Sequence, residues 1–329
     1  MFRIPTILTS DELLDKAFKR ASKVSITGKY AFVKKKQKIA KAKLTSSSQT
    51  IDSTLKKYIK AFPTIDNLHP FYKALIDILL DTDKLKTSLA SLEWCRSKCL
   101  QIARNGSKNI SRAKEAEEIE SIRNGVYGRI SSVVKDIKEQ LDFLNRARQE
   151  MKRMPGVNPD QPTIVVSGYP NVGKSQLVEA MSSGKPRIAS YPFTTQRVSI
   201  GHFEKKFQTY QVIDTPGLLD RELKDRNAIE RQAINALEHL ADVVVFMLDP
   251  SETCGYEIEK QENLLKTIEE EFGGIPVIVV ENKMDVSTTS SERMKISALE
   301  GTGVEELVDH VVEVITSLSP EASGPQVSR

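Results

Sequence analysis

The sequence predicts an all-α helical bundle followed by an α/β domain with a mostly parallel sheet and helices on both faces. Three observations lead to this prediction. The apolar residues follow a helical period up to Met154, and beyond Pro162 they form strands that alternate with helices. Three prolines between these positions end the first pattern, because proline fixes φ and removes an N–H donor. Several later strands are continuous apolar runs, as in a parallel sheet covered on both faces.

The predicted organisation is a helical bundle over 1–154, a linker over 155–162, an α/β domain over 163–318 and a disordered tail over 319–329. A chain of 329 residues can bury a core in each domain. Its longest strongly apolar run, Val243 to Leu248, is far shorter than the ~20 residues that span a bilayer. Residues 1–8 are too short for the apolar region of a signal peptide and are interrupted by Pro5, and three cysteines make no disulfide framework, so we expect a cytoplasmic protein without membrane contact. We also expect the protein to be monomeric when free.

Charge differs between the two halves. Residues 1–160 carry 32 Lys and Arg against 18 Asp and Glu, whereas residues 161–329 carry 16 against 26. From Lys16 to Ile51 there are eleven basic residues and no acidic residue. A solvated helix face usually mixes both signs, so we predict contact with nucleic-acid phosphates here, RNA or DNA being undecided by this feature. The predicted contacts are Lys34, Lys35, Lys36, Lys38, Lys41 and Lys43.

Amphipathic periods predict four or five helices in the first half. The first begins with the capping box Thr9-Ser-Asp-Glu12. The others are predicted at 55–62, 71–80, 85–102 and 110–154, with breaks at His69-Pro70 and Asn105-Gly106 and a kink or split at Gly125 and Gly128. Trp94 is predicted as a core anchor, and Cys95 and Cys99 as buried residues of one helix face rather than half of a metal site.

In the second half, six strands and four helices are predicted. The strands are 163–167, 198–203, 207–214, 242–249, 275–280 and 293–297, and the helices begin at Lys174, Asp225, Tyr256 and Val304.

The first of these strands leads into Gly168-Tyr-Pro-Asn-Val-Gly-Lys-Ser175, the spacing of a phosphate-binding loop. Backbone N–H groups and the helix N-terminus would bind phosphate, Lys174 would reach the β- and γ-phosphates, and the Ser175 hydroxyl would hold Mg²⁺. The predicted phosphate-binding residues are Gly168, Tyr169, Pro170, Asn171, Val172, Gly173, Lys174, Ser175 and Gln176, followed by Asp214, Thr215, Pro216 and Gly217.

Asp214-Thr-Pro-Gly217 follows a strand, where the acidic residue holds Mg²⁺ and the Gly217 N–H contacts a γ-phosphate. Tyr191-Pro-Phe-Thr-Thr195 lies where a first switch segment is expected. One threonine of it would complete the Mg²⁺ shell; we favour Thr195, with Thr194 as the alternative and a capped turn as the non-functional interpretation. Lys174, Thr195 and Gly217 are therefore the predicted catalytic group.

Asn282-Lys-Met-Asp285 follows another apolar strand and predicts that the nucleotide carries guanine. The Asp285 carboxylate can accept hydrogen bonds from the N1–H and the amine of guanine, and adenine lacks this donor pair. Lys283 would lie along the base, and Ser297-Ala298 would supply a backbone N–H to the guanine carbonyl. GTP and GDP are thus the predicted ligands.

These motifs resemble a known family. Gly168–Ser175, Tyr191–Thr195 and Asp214–Arg221 look like the Obg-related P-loop GTPases. Asp225–Asn227 and Ser251–Tyr256 are similar to one branch of that group, the nucleolar GTP-binding protein family. In the first half of the chain, Ile4–Thr6 and His69–Tyr72 resemble the helical domain of the same family. The resemblance covers roughly residues 1–318 and is nearest to the shorter archaeal form. It implies a Mg²⁺-dependent GTPase that acts in assembly of the large ribosomal subunit, with ribosomal RNA and pre-ribosomal particles as partners.

Three features qualify this expectation. Leu218 stands where many GTPases have a water-orienting Gln, which is also a feature of the Obg-related group, so we expect slow turnover. Seven residues, 286–292, leave room for a turn rather than a helix before the last strand. In related GTPases an Asn at the position of Asn171 can bind K⁺; the alternative is an Asn that braces the loop.

Three functions remain open at this point. The first is a GTPase switch whose basic helical domain contacts pre-ribosomal RNA. The second is a regulatory GTPase that acts on a protein or small-molecule partner. The third is an RNA-binding scaffold that holds nucleotide without hydrolysing it.

Overall fold

The computed structural model describes residues 2–191, 197–220, 228–287 and 289–318. The described part of the chain divides into two compact units. One comprises residues 2–67 and 80–152, and the other comprises residues 68–79 with the described residues from 153 onwards. In chain order the helices are α1 Ser10–Ser22, α2 Phe32–Ala61, α3 Pro70–Leu79, α4 Thr82–Arg112, α5 Ala116–Asp136, α6 Lys138–Arg153, α7 Lys174–Met181, α8 Ala228–Glu238, α9 Ile258–Glu271 and α10 Val304–Leu318, with a 3₁₀ turn at Ile65–Asn67.

The first unit is helical, and its first helix begins as predicted. The Thr9 side chain accepts from the Glu12 N–H, and the Glu12 carboxylate accepts from the Thr9 N–H at 2.8 Å. This reciprocal pair satisfies two amides that a helix start would leave without partners. Leu13, Leu14 and Ala17 then point into the core.

Two helices of about 30 residues form the centre of this unit and run antiparallel. Asp52 of α2 accepts from Arg96 of α4 at 2.8 Å, and Gln37 near the start of α2 donates to the Ala113 carbonyl beyond the end of α4 at 2.8 Å. The lysine-rich segment therefore forms the first half of one continuous helix, and the helix predicted at 55–62 is the last part of it.

The predicted break at Asn105-Gly106 is wrong, because α4 continues to Arg112. Gly106 is buried, and a Cβ at this position would lie 2.4 Å from Cγ2 of Val126 in α5. The glycine serves close helix packing, which outweighs its low helix propensity. Gly125 and Gly128 lie within α5, and the split falls instead at Ile137, between α5 and α6.

Two further predictions concern single side chains of α4. Trp94 is not a core residue, since half of its surface is exposed. Cys95 and Cys99 are buried free thiols, as predicted. Burial places both sulfur atoms away from water without a disulfide between them.

The second unit is built on a seven-stranded sheet among the described residues. The strand order is β2-β3-β4-β1-β5-β6-β7, in which β2, β3 and β4 pair antiparallel and the remaining neighbours pair parallel. The strands are β1 Thr163–Ser167, β2 Arg187–Ser190, β3 Arg197–Lys205, β4 Gln208–Asp214, β5 Val243–Leu248, β6 Val277–Glu281 and β7 Met294–Lys295. Helices α7, α9 and α10 pack on the sheet.

The predicted strands are confirmed within a few residues at their ends, apart from β7, which keeps only two of five predicted residues. The edge strand β2, with four residues, was not predicted from the sequence. Helices α7 and α10 begin at the predicted residues, and α9 begins two residues after Tyr256. The predicted start at Asp225 lies outside the described residues. In the part of the chain that is described, the helices are too short or too polar to span a membrane.

Helix α3 belongs to this second unit, although the sequence assigned it to the first. It packs on α8, and its Tyr72 hydroxyl lies within hydrogen-bond distance of the carbonyls of Pro155 (3.0 Å) and Val157 (2.6 Å). Gln211 of β4 also exchanges two hydrogen bonds with the backbone of Asn158. The proline-rich segment, predicted as a linker, is thus hydrogen-bonded within the second unit.

The connection between the parallel strands β6 and β7 is short and contains no helix in its described residues, as predicted. The buried Glu281 at the end of β6 accepts hydrogen bonds from Thr289 and from Ser291. Lys295 then donates to the Ser291 carbonyl at 2.7 Å. These polar contacts hold a crossover that would otherwise be stabilised by a packed helix.

Candidate nucleotide-binding site

The phosphate-binding loop lies between the fully buried strand β1 and helix α7. Gly168 has φ 137°, and a Cβ there would lie 2.6 Å from the Met247 carbonyl oxygen. Gly173 has φ 107° and would place a Cβ 2.3 Å from the side-chain nitrogen of Asn282. Both positions require glycine, because the backbone is left-handed and a neighbouring strand or loop approaches closely.

The cleft at this loop has a volume of about 470 Å³, within the range of small-molecule sites. Its walls combine backbone and side chains of the loop with the segment after β4. The lining residues are Pro170, Asn171, Gly173, Lys174, Ser175, Gln176, Asp214, Pro216 and Asp220.

Lys174 is buried at the start of α7, and its ammonium donates to the carbonyls of Gly168 and Tyr169, both at 2.8 Å. Burial lowers the pKa of Lys174, while the nearby carboxylates of Asp214 and Asp220 act in the opposite direction. The ammonium is therefore held inside the loop, where an anionic phosphate would improve its environment.

Ser175 and Asp214 form the predicted metal-binding pair, since the Ser175 hydroxyl donates to Oδ2 of Asp214 at 2.5 Å. The other carboxylate oxygen of Asp214 is buried and lacks a hydrogen-bond partner among the described residues, as does the Thr215 hydroxyl. Burial raises the pKa of Asp214, an effect that the Ser175 hydrogen bond and Lys174 reduce. An oxygen-rich pair with an unpaired buried carboxylate oxygen suits Mg²⁺, which prefers oxygen ligands.

The segment after β4 carries the glycine that was predicted to contact a γ-phosphate. Its N–H donates to Oδ2 of Asp220 at 2.8 Å, and Gly217 has φ 78°. Leu218, the residue in the place of a water-orienting Gln, is buried. Thr194 and Thr195 lie outside the described residues, so their predicted roles stay predictions.

Asn282 joins the base-recognition segment to the phosphate-binding loop. Its side-chain nitrogen donates to the Val172 carbonyl at 2.7 Å, and its side-chain oxygen accepts from the Ala298 N–H at 2.8 Å. The Ser297 hydroxyl donates to the Asp285 carboxylate at 2.6 Å. The predicted guanine-binding residues are thus brought together, with the Ala298 amide paired to Asn282 rather than free for a ligand.

Lys283 has a partner, Asp249, that no sequence motif indicated. Its ammonium lies 2.6 Å from Oδ2 of the buried Asp249 and 2.8 Å from the Thr253 hydroxyl. Burial would raise the pKa of Asp249, but hydrogen bonds from Lys283, Ser251 and the Cys254 N–H lower it overall. Asp249 therefore stays ionised and fixes the lysine of the base-recognition segment.

The loop that follows Asp249 also reaches the phosphate-binding loop, since the rings of Tyr256 and Tyr169 lie 4.4 Å apart. Gln261 of α9 fastens this loop through hydrogen bonds with Asp249 and Tyr256. Asp249 directly follows β5, at the same edge of the sheet at which Ser167 ends β1 and Glu281 ends β6. Ligands of α/β sheets bind at this edge, and this position is the sequence feature that could have identified Asp249.

Asn171, the predicted K⁺ ligand, is exposed and has φ 62°. A left-handed conformation is one that asparagine tolerates, so a role in shaping the loop accounts for this residue as well as ion binding does. Its K⁺ role stays a prediction.

Tyr191, at the start of the predicted switch segment, is buried and donates to the Ala233 carbonyl at 3.0 Å.

Comparison with known proteins places this geometry in a family. The sequence-family model of the NOG1 N-terminal helical domain matches residues 2–158 of this chain, and the family model of nucleolar GTP-binding protein 1 (NOG1) matches residues 228–285. An uncharacterised protein of Methanocaldococcus jannaschii is 35% identical over 296 residues, which cover 89% of this chain and 82% of that protein. The chain belongs to the nucleolar GTP-binding protein 1 family.

The chain spans about half the length of the relatives named nucleolar GTP-binding protein 1 that it matches. The Saccharomyces cerevisiae protein of that name is 32% identical over 331 residues, which cover 94% of this chain but 50% of the yeast protein. A crystal structure assigned to nucleolar GTP-binding protein 1 of Plasmodium falciparum has 35% identity and a TM-score of 0.46, and the match covers 50% of this chain and 91% of that one.

The predicted nucleic-acid contacts lie on α2 in the helical unit. Lys34 and Lys35 are exposed, whereas Lys36 forms an ion pair with Glu120 of α5 at 2.8 Å. The Lys38 ammonium lies 3.7 Å from the centre of the Tyr30 ring. The remaining predicted contacts, Lys41 and Lys43, are half-buried.

The antiparallel partner of this helix half was missed. Residues 94–114, the second half of α4 and its end, contain six basic residues and no acidic residue. Between α2 and α4 lies a groove of about 550 Å³, lined by polar side chains that include Gln49, Gln101, Arg104 and Lys108. Two carboxylate-free helix halves therefore adjoin one polar groove.

Proposed function

We propose that this chain binds GTP and GDP together with Mg²⁺, hydrolyses GTP slowly and acts as a switch in assembly of the large ribosomal subunit. One contact carries the nucleotide part of the proposal. Asn282 bridges Val172 of the phosphate-binding loop and Ala298 of the last loop, so base and phosphate recognition belong to one site.

Each part of the cleft would have a defined task. Backbone N–H groups from Asn171 to Gln176 and the Lys174 ammonium would bind the β- and γ-phosphates and stabilise charge on the transferring phosphoryl group. Ser175 and Asp214 would hold Mg²⁺, with Thr195 as the proposed third protein ligand. When bound, Mg²⁺ would neutralise charge on the phosphate oxygens.

The base end would select guanine. Asp285 would accept two hydrogen bonds from the guanine edge, while Asp249 and Thr253 keep the Lys283 side chain along the base. Adenine lacks the matching donor pair, so its nucleotide would leave the carboxylate without partners.

Slow turnover follows from the residue at position 218. The buried Leu218 cannot orient water by hydrogen bonding, and GTPases that act without a partner protein hydrolyse GTP at rates on the order of 10⁻⁴–10⁻² s⁻¹. Asn171 is proposed as a K⁺ ligand that would raise this rate.

Single-turnover hydrolysis of GTP tests the enzymatic part. We expect a Mg²⁺-dependent rate in the range above, loss of hydrolysis in Lys174→Ala and little change in Lys266→Ala, an exposed lysine of α9. An unaided rate of about 10 s⁻¹ would contradict the account of the site, and equal rates in K⁺ and Na⁺ would remove the K⁺ proposal.

The ribosomal part rests on the helical unit and on the family. Carboxylate-free halves of α2 and α4 beside a polar groove suit the phosphates and hydroxyls of RNA. Several relatives bear the name nucleolar GTP-binding protein 1. We therefore propose ribosomal RNA and pre-ribosomal particles as partners, in preference to a protein partner alone.

A further inference from the structure

Asp220 is an acidic residue in the phosphate cleft to which the proposed binding of nucleotide gives no task. Its side chain is nearly buried, and Oδ2 accepts a hydrogen bond from the Gly217 N–H at 2.8 Å. Gly217 is the residue whose amide would contact the γ-phosphate of GTP. A carboxylate of this chain thus occupies a donor that the nucleotide needs.

Asp220 lies in the part of the cleft where the phosphates of a nucleotide would bind. It lines the same cleft as Lys174, Ser175 and Asp214, and its negative charge acts on both Lys174 and Asp214. The residue before it is anchored, because the Leu219 carbonyl accepts from the Ser167 hydroxyl at 3.0 Å and from the Gly168 N–H at 3.4 Å. The backbone at Leu219 is therefore tied to the end of β1, next to the phosphate-binding loop.

GTP and GDP make different demands on this amide. A backbone N–H donates one good hydrogen bond, so the γ-phosphate and the Asp220 carboxylate compete for it. Both are anions, and at short distance in a buried cleft they repel each other. GDP has no γ-phosphate and leaves the hydrogen bond between Gly217 and Asp220 intact.

We propose that Asp220 is a specificity-determining residue that lowers the affinity for GTP relative to GDP by occupying the γ-phosphate donor with its carboxylate. This inference rests on the proposed nucleotide binding. The carboxylate takes the place of the γ-phosphate in the nucleotide-free and GDP forms, and GTP must displace it to bind fully. Hydrolysis returns the amide to Asp220, which stabilises the GDP form.

The test compares the affinities of the full-length protein for a non-hydrolysable GTP analogue and for GDP, with Mg²⁺ present. In Asp220→Asn the side chain keeps its size but loses its charge and accepts a weaker hydrogen bond. We expect the ratio of GTP-analogue affinity to GDP affinity to rise about tenfold, the effect of one charge-assisted hydrogen bond. Asp160→Asn, which removes an equal charge from an exposed position of the linker, should leave the ratio unchanged.

Asp220→Ala provides a second variant, since it removes the acceptor altogether, and it should raise the same ratio at least as much. An unchanged ratio in both variants, with normal guanine-nucleotide binding, would overturn the role of Asp220 while leaving the proposed function intact. A lower single-turnover rate with an unchanged ratio would also overturn it and assign Asp220 to the attacking water. Failure of the wild-type protein to bind guanine nucleotides would instead refute the proposed function.

Discussion

Single side chains hold the second unit together by pairing with the backbone of distant segments. Asn282 does this at the cleft, and Tyr72 does it at the linker, where its hydroxyl faces the carbonyls of Pro155 and Val157. A buried carbonyl that loses its donor costs about 1–3 kcal/mol, more than the net gain from an average hydrogen bond. Removing one of these donors should therefore lower the free energy of unfolding by more than its hydrogen bond contributes on average.

Tyr72→Phe tests this at the linker. We expect the free energy of unfolding near neutral pH to fall by about 1–2 kcal/mol, measured by urea denaturation. Burial raises the pKa of Tyr72 to about 12, above the ~10 of an unfolded tyrosine. The raised folded-state pKa means that this stabilisation is complete below pH 10 and is lost as the pH rises towards 12.

The difference between wild type and Tyr72→Phe should therefore be constant up to about pH 10 and shrink between about pH 10 and about pH 12. A difference that stays constant over this range would show that the hydroxyl is not buried as described.

Residue types in a motif could be predicted from the sequence, and residues that act through the fold could not. The sequence spacing of Lys174, Ser175 and Asp214 predicts phosphate and Mg²⁺ binding, and in the structure the three residues line one cleft. Asp249 and Asp220 belong to no spacing rule. Their roles depend on which lysine or amide the fold places beside them, and a sequence pattern does not contain that distance.

At the scale of elements, close packing decides where helices continue. Helix α4 passes through Asn105-Gly106 because Gly106 lets α5 approach, with Val126 and Leu44 against the position of its missing Cβ. The same dipeptide in an exposed loop would form a turn. The burial that overrides the local preference appears only once α2, α4 and α5 are packed.

Gly106→Ala measures this effect, and Gly125→Ala in α5 is its control. At Gly106 the added methyl would meet Cγ2 of Val126 at 2.4 Å, and we expect a loss of about 1–3 kcal/mol in the free energy of unfolding. At Gly125 nothing lies within 4 Å, so alanine should stabilise by about 0.5–1 kcal/mol through helix propensity. Equal changes in the two variants would show that helix propensity, not packing, governs Gly106.

The sheet shows the same limit of sequence patterns. Buried strands β1 and β5 were predicted from continuous apolar runs, whereas the edge strand β2 has no such run. The crossover from β6 to β7 was correctly expected to lack a helix, but the role of Glu281 in holding it depends on contacts across ten residues.

At the scale of the whole chain, the net charge is +14 on residues 1–160 and −10 on residues 161–329, which agrees with the two proposed tasks of nucleotide binding and RNA contact. The sequence located the basic segment on α2 but missed α4, because six basic residues spread over residues 94–114 do not form a dense run. Antiparallel packing of the two helices places both segments beside one polar groove, which is the proposed RNA-binding surface.

RNA binding of the full-length protein tests this surface. We expect affinity for large-subunit ribosomal RNA to fall steeply with salt, as counterion release requires. Arg104→Glu with Lys108→Glu, at the groove, should weaken binding at least ~10-fold and reduce the salt slope. Lys56→Glu with Lys57→Glu, exposed in the other half of α2, is the matched control and should have a much smaller effect. An equal loss in both pairs would indicate non-specific attraction.

The most direct measurement is a titration of the protein with Mg²⁺-GTP and with Mg²⁺-ATP, on the wild type, on Asp285→Ala and on the exposed control Asp160→Ala. Two hydrogen bonds to the Asp285 carboxylate should favour GTP by ~100-fold in the wild type and in the control. Asp285→Ala should abolish that preference. The variant should still bind both nucleotides weakly, because its phosphate-binding loop is unchanged. ATP bound as tightly as GTP by the wild type, or an unchanged preference in Asp285→Ala, would contradict the account.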